Sequence, residues 1–166
     1  MRRYLFPGLC VILLVLALHT MTLASASLGE LPLESVEVVA ADGSRHEFRV
    51  RLANTPEART RGLMYVTALE RDAGMLFDFG ETREVGMWMK NTPLSLDMLF
   101  IDPTGRVLRI AARTRPFSTR IIRSGRPVRA VLEIRGGLAA ELGIRPGDRV
   151  SHRLFETARD ASRRDP

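Results

Sequence analysis

Cysteine is almost missing from this 166-residue chain: it occurs once, at position 10, inside an apolar N-terminal run. If that run is removed on export, no disulfide framework, thiolate metal site or cysteine nucleophile remains. Histidine is nearly as scarce. Only His46 and His152 lie beyond His19, and neither stands in a metal-ligand spacing such as H-E-x-x-H. No G-x-S-x-G and no phosphate-cradling glycine loop occurs, and Ser95, Ser118 and Ser124 have no catalytic partner close by. Lysine is reduced to Lys90, so arginine carries nearly all the positive charge.

What is present begins with an export signal. Arg2 and Arg3 precede the apolar stretch 5–18, and Ala24-Ser25-Ala26 supplies an A-x-A pattern, so a secretory signal peptide over 1–26, cleaved after Ala26, is predicted. The alternative is retention as a membrane anchor, for which the apolar run is short and His19 interrupts its end. A lipidated Cys10 fits poorly, because Pro7-Gly8-Leu9 lacks a small residue before the cysteine. Export would leave 140 residues, one domain by size, with a formal charge of +4 instead of +6. The expected location is periplasmic or secreted.

Period-two alternation dominates the rest. Phe48, Val50 and Leu52 alternate with Glu47, Arg49 and Arg51, and Asp42-Gly43 marks a hairpin turn before them. Strands are predicted at 36–40, 46–52, 75–79, 85–90, 96–101, 107–112, 130–134 and 149–155. Two short helices are predicted. One starts at Thr55-Pro56-Glu57 and runs to about Arg61, and the other spans 138–142 between glycines. Gly62 either ends the first helix or lets Leu63 and Met64 pack closely. The fold class is α+β, mostly β: a small curled antiparallel sheet or barrel-like domain over 27–155, with a polar tail at 156–166.

Several motifs stand out: R-G-L-M at 61–64, G-M-L-F at 74–77, W-M-K-N-T at 88–92, L-D at 96–97, then V-L-E-I-R-G-G and G-I-R-P-G-D. Their order and spacing resemble the domain of unknown function 192 family, small and mostly exported domains. The resemblance covers roughly residues 36–154 and implies a compact β-rich domain with a few short helices. It carries no agreed catalytic residues and no cofactor.

The candidate site therefore comes from the residues themselves. Alternation places Trp88 and Lys90 on one face of their strand and Met87 and Met89 on the other. Asp97 sits in a run apolar enough to be covered on both sides. It either caps the Asn91-Thr92-Pro93 turn or pairs with Lys90 or Arg61, or else it joins Arg61, Trp88, Lys90 and Asn91 in a polar cleft with an aromatic floor, suited to a small polar or sugar-like ligand. A second candidate is the segment between Asp102 and Glu133, which has many arginines and no acid between those two. Arg113, Arg115, Arg120, Arg123 and Arg126 would meet anionic lipid headgroups or acidic glycans rather than nucleic acid, which an exported protein does not encounter. The alternative is a solvated basic loop.

The function these readings favour is non-catalytic binding of a small ligand or an envelope partner. Two alternatives stand beside it. One is a small hydrolase of envelope carbohydrate, pairing Asp97 with Glu133 or Asp102. The other is a Cu(I) domain built on the thioethers of Met87 and Met89, superficially similar to periplasmic copper chaperones. Methionines in apolar strands more often fill a core.

Overall fold

The computed structural model describes residues 30–156. The segment predicted as a signal peptide, the predicted cleavage after Ala26 and most of the predicted polar tail lie outside that range. No helix among the described residues is long and apolar enough to cross a membrane.

Strands β1 (Leu33–Val39) and β2 (Arg45–Ala53) form the expected hairpin. Its turn is closed by Ala40 N–H donating to Ser44 O and by the Asp42 carboxylate, which accepts from the Ser44 amide and hydroxyl. Gly43 takes φ +86°, a value that disfavours side chains. Helix α1 (Pro56–Arg61) follows, with the Thr55 hydroxyl accepting from Ala58 N–H as N-cap. Gly62 does both things its sequence suggests. It ends the helix at φ +49°, and a Cβ there would lie 3.1 Å from the Phe77 ring. The crossover through α1 lays β3 (Ala73–Arg83) parallel to β2, the one parallel pair among the described strands of an otherwise antiparallel sheet.

The rest of the sheet is antiparallel. Strands β5 (Leu96–Ile101), β6 (Val107–Ala111), β8 (Val128–Arg135) and β9 (Arg149–Ser151) complete the order β6-β5-β8-β3-β2-β1-β9. The sheet curls into a half-barrel whose two edges touch: Val107 N–H donates to Asp148 O and Val150 N–H to Gly105 O. The concave side packs Phe48, Leu76, Leu99, Leu132, Val150 and Phe155. Phe155 belongs to a 3-10 turn at Arg153–Phe155 rather than to β9, which is three residues long instead of the predicted seven. Glu34 holds that turn, accepting from Arg153 and His152, and the Arg153 hydrogen bond keeps its carboxyl below the usual range. The second helix, α2 (Leu138–Glu141), closes one end of the concave core.

The convex side is also apolar, because β3, β5 and β8 are buried on both faces. Met75, Phe77, Met98, Phe100 and Val131 form a second cluster there, covered by α1 and by two long excursions of the chain. The excursions contribute β4 (Gly86–Met87) and β7 (Ile122–Arg123), which pair as a separate two-stranded sheet. The predicted strand 85–90 is therefore only two residues long. Its inside-outside alternation persists regardless: Val85, Met87 and Met89 are buried while Gly86, Trp88 and Lys90 are exposed. Thr92, Ser118 and Asn91 supply the backbone bonds that extend this contact, and these are too irregular for a strand.

Candidate functional site

A cleft of about 340 Å³ opens on the convex side between α1, the outer half of β3 and the segment around β4. Leu63, Phe77 and Met87 are buried in its floor, while Arg59, Arg61, Arg83, Lys90 and Trp88 stand around it. Arg59 is fixed by donating to Asn54 O at 3.0 Å and Asp78 O at 2.8 Å. Its guanidinium and that of Arg83 lie 5.8 and 5.3 Å from the centroid of Phe79. Lys90 Nζ stands 5.5 Å from the Trp88 ring, an attraction worth about 0.5–1 kcal/mol at an exposed site. Four cations thus surround a volume whose lining holds one carboxyl group, Glu133.

Glu133, named from the sequence only as a possible acid partner of Asp97, is the lining residue that sequence reasoning did not bring to this cleft. It sits mid-strand on β8, in register with Met75 of β3 and Met98 of β5, and is 3% exposed. No described residue donates a hydrogen bond to its side chain, and burial alone pushes its pKa up to about 8. It is therefore a neutral carboxylic acid at pH 7, able to donate. The available signal was V-L-E-I, an acid in an otherwise unbroken apolar strand, which marks a carboxylate that must be paired or protonated.

Arg61, Trp88 and Lys90 all line this one cleft. Asn91 is not in the lining. It takes φ +56°, its side chain donates to Tyr65 Oη at 2.8 Å, and its carbonyl accepts from Tyr65 N–H, so it supports the rim from outside. Asp97 is on the other side of the sheet, since it shares a face with Leu99 and Ile101 of the concave core while Glu133 shares one with Val131 of the convex cluster. Its role is structural, with partners other than those expected. It accepts from the backbone N–H of Arg113 (2.7 Å), Gly137 (2.9 Å) and Ala139 (2.9 Å), tying β6's exit and the start of α2 to β5. Asp102 is spent on its own turn, accepting from Thr104 and Arg106. The acid pair that a carbohydrate hydrolase requires is thus not assembled from Asp97, Asp102 and Glu133.

The arginine segment does not form one patch. Arg113 packs its guanidinium over Gly137, and Arg126 stands beside Arg106 and Asp102 at the far edge of β6. Arg115, Arg120 and Arg123 stay exposed on the excursion that carries Phe117 and Ile121. Met89 is buried with the convex cluster, and its sulfur accepts from the Thr114 hydroxyl at 3.2 Å. Met87 is turned inward beside it. Both methionines have packing roles that account for their presence.

A curled seven-stranded half-barrel with two short helices and a small two-stranded sheet defines a mostly-β domain of the α+β class. The particular family is settled by comparison: residues 37–152 match the model of DUF192, the uncharacterized ACR family, and the chain belongs to that family. Among solved structures, it is similar to a Sinorhizobium meliloti 1021 protein described as a "putative transcription regulator". That pair shares 48% identity and a TM-score of 0.72 over 73% of this chain and 94% of the other. A Novosphingobium aromaticivorans protein of unknown function is similar at 39% identity and TM-score 0.73, over 80% of this chain and 99% of the other. No curated protein matches the chain.

Proposed function

We propose that this protein is a non-catalytic binding protein of the cell envelope that holds a small polar ligand bearing negative charge in the Trp88 cleft. The observation that carries this reading is the charge imbalance of the lining. Arg59, Arg61, Lys90 and Arg83, the last also ion-paired to Glu81 at 3.3 Å, line a cleft whose one carboxyl burial keeps protonated. Such a cleft focuses positive potential and favours an anionic ligand. The envelope assignment rests on the N-terminal sequence, Arg2-Arg3, the apolar run 5–18 and Ala24-Ser25-Ala26.

A nucleic-acid role, raised by the description of the Sinorhizobium protein, has less to rest on. Helices α1 and α2 have six and four residues, too short to lie along a major groove and present bases with several side chains. Native mass spectrometry of the protein purified from its own envelope tests the proposal. A retained anionic small molecule in the wild type, lost in Lys90→Glu, is the expected result. Unliganded protein in both, or a ligand retained equally by both, contradicts it.

A further inference from the structure

Glu133 and the cations occupy different depths of the same cleft. Arg83 and Lys90 are exposed and Arg59 and Arg61 half-buried, so the charge lies toward the mouth. Leu63, Phe77, Met87 and Glu133 are buried, so the floor is apolar except for one carboxyl. An unpaired acid at that position contributes nothing to the fold. Its neighbours in register, Met75 and Met98, are methionines, and a leucine there would remove the desolvation cost. The group makes sense if something entering the cleft accepts a hydrogen bond from it.

We infer that the cleft selects an amphipathic organic anion, with its charged group held by the arginines and Lys90 at the mouth, an apolar body over Leu63, Phe77 and Met87, and a neutral oxygen acceptor at the far end that takes a hydrogen bond from the Glu133 carboxyl. This deepens the binding role proposed above and rests on it. Two physical requirements support the arrangement. A second anion at the floor would be repelled once Glu133 ionised, whereas a ketone, ester or ether oxygen gains a donor in a water-poor setting, where hydrogen bonds are strong. The volume of about 340 Å³ lies at the small end of ligand clefts, which limits the ligand to a modest body.

The selection also has a built-in pH response. Glu133 donates while protonated and ceases to donate above a pH of about 8, where the carboxylate would face the acceptor's lone pairs. Binding therefore weakens as pH rises through that value.

The test compares two probes of equal shape and charge, 4-acetylbenzoate, which ends in a ketone, and 4-isopropylbenzoate, which ends in a branched alkyl group. Isothermal titration of the full mature protein is run at pH 6.5 and pH 9, with Glu133→Leu and Glu133→Gln beside the wild type. The expected result is tenfold or greater preference for the acetyl compound at pH 6.5, lost in the wild type at pH 9 and lost at both pH values in Glu133→Leu. Glu133→Gln, which keeps a donor without a titrating proton, should retain the preference at both. Equal binding of the two probes at pH 6.5 overturns the inference while leaving the anion cleft standing. Failure of both probes to bind the folded wild type overturns both.

Discussion

At the scale of single residues, two buried carboxyls separate by environment. Asp97 accepts three backbone N–H groups and is part of the architecture, whereas Glu133 accepts none from the described residues and opens to the cleft. Replacing Asp97 with alanine leaves those donors buried without a partner, at about 1–3 kcal/mol each, so Asp97→Ala should lose more than about 3 kcal/mol in denaturant unfolding. Retention of wild-type stability would show that the three bonds are replaceable. Glu133 acts on stability in the opposite direction. The unfolded chain releases this proton near 4.5, the folded protein keeps it until about 8, and so stability falls as pH rises between those values, by up to about 1.4 kcal/mol per pH unit. Glu133→Gln should remove this part of the pH dependence and raise the melting temperature at pH 8. An unchanged stability profile in the variant would mean that Glu133 ionises at an ordinary pH.

At the scale of elements, the sequence was most legible where local chemistry decides the outcome. Thr55-Pro56-Glu57 set the start of α1, Asp42-Gly43 set the β1-β2 turn, and alternation set which side chains of 85–90 are buried. It was least legible where pairing over long separations decides. The parallel β2-β3 pair and the β4-β7 sheet join segments with no local signal for each other. The same limit hid Glu133, whose membership in the cleft depends on α1 and the β4 segment lying over β8's convex face. Two predictions belong here. A Cβ at Gly74 would lie 2.6 Å from Glu133 O, so Gly74→Ala should push β3 from β8 and lower the melting temperature by several degrees. Tolerance without loss would mean the two strands can separate at little cost. Phe117 holds φ +59° while 63% exposed, a strained backbone for an aromatic residue with no core role. Phe117→Asn, which accepts that conformation more readily, should unfold at the same or higher denaturant concentration, by up to about 1 kcal/mol. A clear loss would assign Phe117 a packing role.

At the scale of the whole molecule, the two faces of the sheet have separate tasks. The concave face closes through β6 and β9 into a sealed core, and the convex face carries a second apolar layer that is only partly roofed. The gap in that roof is the cleft, and the residues around it are the ones that give the local excess of positive charge. Because the chain has one tryptophan and it stands at the rim, its fluorescence reports on the cleft alone. The most direct test of an anion-binding cleft is therefore a titration of Trp88 emission with 4-acetylbenzoate at pH 6.5, in wild type and in Lys90→Glu, at low and high salt. The account predicts a saturable change in the wild type, weakened by salt and reduced about tenfold or more in affinity by the charge reversal. A flat emission trace, or saturation that is indifferent to both salt and Lys90→Glu, would contradict it.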